Sequence, residues 1–492
     1  MNNFWEKMNG KYLALGSTFI MFLVCGYYLL ETSLFIPDWD TVSFAFWGFN
    51  GHRTVHQDGT HLLLGYITGL YQTFSSTKTE LLHNMRLTAF LFGCMGIIFY
   101  SCFVYSLYRE RLDLYVFLLG FYIFVPYYRF IISSMDDNFY VYPFLSLFCL
   151  SIYKYYDEEK FKWLFAACIS IIIALLLGLS YSVFALFLVT PLFKENLNRT
   201  RIIHLGAGFA VFLSALFVFL WFHKSFSGLD SYSLISENYL KKFYPNADWS
   251  HLKEMLAYSW TEPFTGCQNL DCRFYFRESV NPAKMPDRKV YFFSILAVLG
   301  ILFFPPFYWI RKKRKNLVFS ILSIIIISYF ILFLGYTKSF EVQERYDFFS
   351  FILPFLLEGL KKERLIRAFK FFLYTGLAVL YAMFFRYQFE IGKLDSPLRL
   401  YREAALQGKE FHFSSEDLPS YDRGRHFLAW LYLDHLKIYN IGDKYLRLKE
   451  LYSFSNPDEF DYSKKCKQAD VFISQKMKDY LLKTKKIKCS SD

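Results

Sequence analysis

Residues 37–70 of the chain read PDWDTVSFAFWGFNGHRTVHQDGTHLLLGYITGL and follow directly on the first long apolar stretch, residues 12–35. The segment mixes carboxylates and imidazoles with aromatic side chains, a composition that suits a site at a membrane surface. An aspartate beside hydrocarbon must be hydrated, paired or bound to substrate, so Asp38 and Asp40 are functional candidates. The alternative is an aromatic-rich interfacial loop whose charges simply face water.

The composition indicates a polytopic membrane protein. The 492 residues are 54% hydrophobic and 22% aromatic, and the mean hydropathy is +0.22, which is too apolar for an ordinary soluble protein. The net charge is +12, but the basic residues lie in short runs between apolar stretches. There they orient spans and contact anionic headgroups. We therefore expect membrane lipids as partners and no nucleic acid.

The apolar stretches predict an all-α membrane domain with about eleven spans, at roughly 20 residues per span. Basic runs orient them, with the N-terminus in the cytoplasm and the C-terminus outside, and RKKRK at residues 311–315 is the strongest cytoplasmic marker. Residues 163–193 are too long for one upright helix, so they count as two shorter spans or one span with a re-entrant turn, interrupted at 178–180. The other spans are predicted at residues 12–35, 87–108, 114–127, 139–152, 203–222, 290–310, 317–336, 348–357 and 369–385.

This topology divides the chain into two domains. Residues 1–390 form the predicted transmembrane domain, and residues 391–492 form a small soluble α/β domain on the outer side. In the latter, residues 396–405 and 425–438 are predicted to be amphipathic helices, and residues 469–474 a strand leading into a helix at 475–482. The outer surface of the first domain comprises the loops 37–86, 129–138, 223–288 and 338–347.

Cysteine positions agree with that orientation. Of nine cysteines, five fall in predicted spans, where a thiol behaves as a small apolar group. The other four lie on the predicted outer face, where disulfides form. A metal site at two of these cysteines is the alternative, but no histidine or cysteine partner has suitable spacing, so no metal site is predicted. The four are Cys267, Cys272, Cys466 and Cys489.

Four short motifs follow one another in the predicted outer loops. DWD stands at residues 38–40, NMRL at 84–87, SMDDNFY at 134–140, and ERY at 344–346 ahead of Pro354. Their order resembles the GT-C superfamily of integral-membrane glycosyltransferases, such as the protein O-mannosyltransferases and the lipid A aminoarabinose transferases. Those enzymes take a sugar from a polyprenyl-phosphate carrier, and amphipathic helices in the first outer loop are a family feature. In this chain Thr41 replaces the second acidic residue, and the middle of the chain matches no motif.

The resemblance implies a role for each motif. Asp40 would be the general base that takes the proton of the acceptor hydroxyl, with Asp38 second. Asp136 and Asp137 would position the acceptor or assist a divalent cation, the one cofactor that is left open. Arg345 would hold the departing phosphate, for which a guanidinium fork is suited. Further substrate contacts are expected from Arg86, His56 and His61.

Each of these residues also has a purely structural interpretation. Asp38 could cap a helix that begins near Asp40. The pair Asp136 and Asp137 could form a water-facing turn before a helix. Arg345 could mark the interface or pair with a nearby glutamate. The histidines could suggest a metal, but their glycine-rich surroundings favour a loop.

Three classes of function therefore remain. The first is a glycosyltransferase that uses a lipid-linked sugar and a lipid, glycan or protein acceptor, with its site on the periplasmic side of a bacterial inner (plasma) membrane. The second is a polysaccharide polymerase or ligase that uses lipid-linked glycans. The third is a transporter or non-catalytic scaffold, which internal repeats would indicate, and none is evident. The sequence also contains no glycine-rich phosphate loop, which argues against a nucleotide-sugar donor.

Overall fold

The computed structural model describes a mostly helical protein with a small sheet near the C-terminus. Its helices are α1 (Lys78–Tyr108), α2 (Leu112–Phe124), α3 (Tyr142–Glu158), α4 (Phe161–Leu177), a 3-10 helix (Leu179–Phe193), α5 (Arg199–Ser227), α6 (Leu317–Ser328) and α7 (Phe348–Leu357). The described residues are 73–76, 78–124, 140–193, 199–227, 317–328, 348–357, 410–414, 436–439, 454–455, 471–473 and 475–484, with single positions between 12 and 70.

Two of the described helices are long and apolar enough to cross a membrane. Within α1, Leu91–Tyr108 has a mean hydropathy of 1.7, and Arg199–Phe222 of α5 has 2.3 with only 6% of the window buried. An apolar helix that leaves most of its surface uncovered suits a lipid environment better than water. These helices support a membrane location, while the count of about eleven spans stays a prediction.

Most of the described helices follow the predicted apolar stretches, but α1 begins at Lys78, inside the predicted outer loop 37–86 and ahead of the predicted span 87–108. Helix α7 coincides with the predicted span 348–357, and α1 ends at Tyr108 as predicted. The stretch 163–193 is interrupted at Gly178, where α4 gives way to the 3-10 helix. Helix α3 runs past its predicted end at 152, since Lys154 and Glu158 pair one turn apart at 3.4 Å and support the polar last turn. Predicted spans 290–310 and 369–385 lie outside the described residues, as does most of 12–35.

The helices run between two ends of a bundle, and successive helices from α1 to α5, with the 3-10 helix counted, alternate in direction. Helices α1 and α2 are antiparallel, because Tyr105 contacts Tyr115 at 6.0 Å between ring centroids and Tyr100 stacks on Tyr122 at 4.1 Å. A Cβ at Gly96 would lie 3.0 Å from the Tyr122 hydroxyl. Glycine therefore permits the close approach of the two helices.

One end, which we call the far end, contains the start of α3 and the end of α4. Here Tyr140 contacts Phe92 at 5.1 Å, and a Cβ at Gly178 would lie 3.4 Å from Val141. The backbone N–H of Leu63 also donates to Leu176 at 2.9 Å. Leu63, Tyr140 and the interruption at Gly178 therefore lie at one end.

The opposite end, which we call the basic end, contains the turn after α1, the α3–α4 turn and the start of α5. It is marked by Arg111, Lys160 and Arg199. Tyr156 contacts Phe319 at 5.2 Å, and Phe319 stacks on Phe355 at 4.7 Å, so α6 starts here and α7 ends here. The described residues of the predicted cytoplasmic runs, 154–162, 199 and 201, lie at this end.

Helices α4 and α5 run parallel to one another. Phe161 contacts His204 at 5.4 Å, and Leu176 packs among later α5 residues at the far end. A Cβ at Gly208 would lie only 2.9 Å from Leu164. The 3-10 helix between them must therefore return to the basic end. At about 2.0 Å per residue a 15-residue 3-10 helix covers about 30 Å, which is the thickness of a hydrocarbon core.

A proline inside α7 leaves a backbone carbonyl that must accept a hydrogen bond from outside the helix. Pro354 has no N–H, so the carbonyl of Ser350 one turn earlier lacks its helical partner. The buried Tyr100 hydroxyl donates to that carbonyl at 2.6 Å. The Tyr108 hydroxyl donates to the Pro354 carbonyl at 2.6 Å. Two tyrosines of α1 thus donate to backbone carbonyls of α7.

The C-terminal part contains a parallel sheet of four strands in the order β3-β2-β1-β4. The strands are β1 (Glu410–Ser414), β2 (Leu436–Tyr439), β3 (Phe454–Ser455) and β4 (Val471–Ile473), and α8 (Gln475–Lys483) follows β4. The predicted strand and helix at 469–482 are confirmed. The predicted helix at 425–438 is wrong over 436–438, which pair with β1, since Leu436 and Ile438 alternate with Lys437 at strand period.

The predicted helix at 396–405 lies outside the described residues. The division of the chain near residue 390 stays a prediction. What the described strands add is a parallel α/β arrangement, which agrees with the α/β character expected for the tail.

The bond from Tyr100 to α7 leads to the first testable prediction. Replacing Tyr100→Phe leaves the buried Ser350 carbonyl without a donor and should lower the free energy of unfolding by about 1 kcal/mol. In a Pro354→Ala background the helix supplies its own N–H, so the same change should cost much less. Thermal unfolding of the four proteins in detergent measures this difference. Tyr105→Phe, at a half-buried position on the same helix, is the matched control, and equal losses in both backgrounds would contradict the assignment.

Candidate functional site

The predicted catalytic and binding residues fall almost entirely outside the described part of the chain. Arg86 is the exception, since its backbone belongs to α1. It precedes Phe92 by about 9 Å along the helix axis, on the far-end side. The roles assigned to these residues stay predictions. Those outside the described residues are Asp38, Asp40, His56, His61, Asp136, Asp137 and Arg345.

The described residues nearest to them along the chain meet at the far end. Leu63, just after His61, is hydrogen-bonded to Leu176 at 2.9 Å. Tyr140, just after Asp136 and Asp137, contacts Phe92 at 5.1 Å. The segment that contains Arg345 leads into α7, whose Phe351 packs on Tyr142 at 5.8 Å. Three segments far apart in sequence therefore reach the bundle at the same end.

The start of α1 is ordered by local bonds. Glu80 accepts hydrogen bonds from the backbone N–H of Ser76 at 2.7 Å and from its hydroxyl, which satisfies donors ahead of the first turn. Asn84 reaches back to donate to Ser75 at 2.8 Å and to the Phe74 carbonyl at 3.1 Å. Asn84 opens the NMRL motif, so the helical segment that carries Arg86 is tied to the end of the first outer loop.

At the basic end the structure brings together a charged cluster that no motif indicated. Glu159 lies in the turn between α3 and α4, and its backbone has the left-handed conformation, with a φ angle of 55°. Its carboxylate accepts a hydrogen bond from Arg201 at 2.7 Å, and the Arg201 side chain is only 3% exposed. A guanidinium buried this deeply needs a carboxylate partner. The ion pair thus fixes the first turn of α5 against the α3–α4 turn.

His204 lies one turn after Arg201 in the same cluster. Its ring is 6.1 Å from the Tyr155 ring and 5.4 Å from the Phe161 ring. Its Nδ1 atom is buried and has no hydrogen-bond partner among the described residues. The first turn of α5 therefore packs a cation and an imidazole against the aromatic side chains of α3 and α4.

Glu158 is the centre of a second group of charged contacts at the basic end. It accepts from Lys160 at 2.9 Å and pairs with Lys154 at 3.4 Å, and the Trp163 indole N–H donates to it at 3.2 Å. The hydrogen bond from Lys160, with that from Trp163, lowers the pKa of Glu158 to about 2. Its lone pairs are engaged by donors, so this carboxylate is poorly suited to act as a base.

No metal centre can be assembled from the side chains that the structure describes, because they contain no group of three or more histidine, cysteine, aspartate or glutamate residues placed to hold an ion. Cys94, Cys102, Cys149 and Cys168 are free thiols within helices, in agreement with their predicted positions in spans. The predicted outer disulfides involve cysteines outside the described residues.

A buried polar pair lies in the C-terminal sheet. His412 on β1 is 5% exposed, and its Nδ1 is 2.9 Å from the Tyr439 hydroxyl on β2. Sequence reasoning missed this pair because residues 436–438, which belong to the same strand as Tyr439, were predicted as helix. The Glu159–Arg201 pair was missed because a charged residue beside an apolar run carries no local signal of its partner.

Two comparisons with known proteins found no match. No protein-family model matches the chain. No curated protein is significantly similar to it. The function of the chain is therefore inferred from its residues and fold alone.

The Glu158 contacts predict how stability responds to acid. Because the folded-state pKa lies below the ordinary value of 4.5, ionised Glu158 stabilises the protein above about pH 4.5, and this contribution is lost as the pH falls towards 2. In the Glu158→Gln variant, the melting temperature should therefore fall less than in the unaltered protein as the pH is lowered below about 4.5. Thermal unfolding in detergent between pH 6 and the lowest pH tolerated measures it. Asp157→Asn, at the exposed neighbouring carboxylate, serves as control, and an unchanged Glu158→Gln profile would contradict the assignment.

Proposed function

We propose that the chain is a multi-pass integral-membrane glycosyltransferase of the GT-C type. It transfers a sugar from a polyprenyl-phosphate donor to a lipid, glycan or protein acceptor on the non-cytoplasmic face. The proposal includes about eleven spans and a location in a bacterial inner membrane, with the site on the periplasmic side. Two long apolar helices and the alternating helix directions support the membrane part of this proposal.

One structural observation supports the proposed glycosyltransferase function. Leu63, Tyr140 and the start of α7 meet at the far end, and each adjoins a segment that contains predicted site residues. The described basic residues Arg111, Lys160 and Arg199 lie at the other end, which by the charge rule faces the cytoplasm. A site assembled from the three segments would then face outward, where polyprenyl-linked sugars are used.

The chemistry proposed for this end follows from the residue types. An ionised aspartate, Asp40 with Asp38 second, removes the proton of the acceptor hydroxyl as the anomeric carbon is attacked. Positive charge builds on the sugar in an oxocarbenium-like transition state. Arg345 stabilises the phosphate that leaves with the lipid, since a guanidinium can donate two parallel hydrogen bonds to it. Asp136 and Asp137 hold the acceptor or a cation, and Arg86, His56 and His61 complete the substrate contacts.

The general base can be tested directly. Asp40→Asn keeps the size of the side chain but removes its basic lone pair, so the rate of sugar transfer should fall by roughly 10²–10⁴. Transfer from radiolabelled polyprenyl-phosphate sugar in membranes that contain the variant measures this. Asp157→Asn, at an exposed carboxylate of the basic end, is the matched control and should keep full activity. Intact transfer by Asp40→Asn, at equal protein level, would overturn the assignment of the base.

The proposed contact between Arg345 and the donor phosphate should affect KM for the donor, whereas Asp40 should affect the rate of transfer. Arg345→Ala should raise KM for the lipid donor by roughly tenfold to a hundredfold, because a hydrogen bond between charged groups is lost. Arg345→Lys should recover only part of this, since ammonium lacks the fork geometry. Initial rates at varied donor concentration separate KM from kcat. Arg109→Ala, at an exposed arginine of the basic end, is the control, and an unchanged donor KM in Arg345→Ala would remove the proposed role.

A further inference from the structure

Helix α5 has an apolar surface that none of the described helices covers. Only 6% of the window Arg199–Phe222 is buried. Four large apolar side chains, each four positions after the last, are between 47% and 71% exposed, and this spacing places them along one side of the helix. They are Phe209, Leu213, Phe217 and Trp221, and we call them the α5 stripe. The stripe requires lipid, another protein or another part of this chain as its neighbour.

The α5 stripe faces away from α4. The two helices approach closely at Gly208, where a Cβ would lie 2.9 Å from Leu164. At about 100° per residue, Leu213 and Phe217 lie roughly 140° and 180° around the helix from Gly208. The contact between α4 and α5 therefore leaves the stripe on the opposite side, where a further helix can pack.

The chain between α5 and α6 contains a suitable helix. Residues 228–316 lie outside the described residues. Helix α5 ends at the far end and α6 begins at the basic end, so the chain between them must cross the length of the bundle. A crossing through lipid has to be helical, and residues 290–310 are the one long run without a charged residue in this part of the sequence. The predicted span 290–310 is therefore antiparallel to α5.

The starts of α5 and α6 lie beside the same turn of α3. Tyr155 contacts His204 of α5 at 6.1 Å, and Tyr156 contacts Phe319 of α6 at 5.2 Å. The link between the predicted span and α6 is residues 311–316, which bridge at most about 25 Å. A helix that is tethered to the start of α6 by this short link therefore also reaches the start of α5.

We propose that residues 290–310 form a transmembrane helix that packs on the α5 stripe, between α5 and α6. Ile321 and Ile325 of α6 are 43% and 47% exposed, so a helix in this position covers apolar side chains on both neighbours. Both ends of the predicted outer loop 223–288 then emerge side by side at the far end, where the candidate site is proposed. The inference rests on the proposed membrane insertion and is independent of sugar transfer.

Disulfide cross-linking of the full chain in membranes tests this packing. Leu213 is 14 residues from Arg199, and Leu296 is 14 residues from Ile310, so the two side chains should lie level in antiparallel helices. Leu213→Cys is therefore combined in turn with a cysteine at each position of one helical turn, and mass spectrometry of digested peptides detects the disulfide after mild oxidation. At least one pair should form it, since facing Cα atoms of packed helices approach within the roughly 7 Å that a disulfide allows. The four partners are Ile295→Cys, Leu296→Cys, Ala297→Cys and Val298→Cys.

Two controls test the level and the side of α5 separately. Phe307→Cys is 11 residues from Leu296, about 16 Å along a helix, and should form no disulfide with Leu213→Cys. Ala215→Cys, which replaces a residue packed on α4, should form none with any of the four partners.

The absence of a disulfide in all four pairs, with the chain retained in membranes after an alkaline wash, would overturn the proposed packing and leave membrane insertion standing. A disulfide-linked dimer of the single variant Leu213→Cys would also overturn it, because a second copy would then occupy the stripe. Equal disulfide yields in either control would do the same.

Discussion

The carbonyl of Ser350 is the point on which the arrangement of the helices depends. In an apolar bundle every backbone polar group must find a partner inside the protein, and Pro354 removes the partner that the helix would provide. The Tyr100 hydroxyl takes its place at 2.6 Å. A helix of ten residues with a proline in its interior has little stability of its own. Its position is therefore set by what surrounds it.

The surroundings of α7 come from most of the bundle. Phe351 contacts Tyr100 at 6.0 Å, Tyr122 at 5.8 Å and Phe184 at 6.3 Å, which belong to α1, α2 and the 3-10 helix. Edge-to-face contacts of this kind add to the burial of the rings. Because α7 is held by several helices at once, the segment that enters it at the far end starts from a fixed point. That fixed point is what a phosphate-binding residue just ahead of α7 would require.

Much of the helical layout follows from the sequence, and the reason is that apolar length and charged runs are local signals. The interruption at Gly178 and the helix at 348–357 could both be predicted in this way. The hydrogen bond between Tyr100 and Ser350 could not be predicted. Its partners are 250 positions apart, and neither segment contains a local signal of the other. The strand at Leu436–Tyr439 was missed for a related reason, since its pairing with β1 outweighed the helical pattern of the preceding residues. For the candidate site, the sequence predicts which segments contribute residues, whereas the approach of individual side chains is not a property of local sequence.

The hydrogen bonds of the described carboxylates indicate which end of the bundle can provide a general base for catalysis. Glu158 and Glu159 are the partly buried carboxylates of the described basic end, and both already accept hydrogen bonds from cations at 2.9 Å and 2.7 Å. A general base needs a lone pair directed at substrate, and lone pairs held by lysine or arginine are a poor source of one. The aspartates predicted to act in catalysis belong instead to segments that join the bundle at the far end. If a base acts in this protein, the charge pairing within the described residues therefore favours the far end.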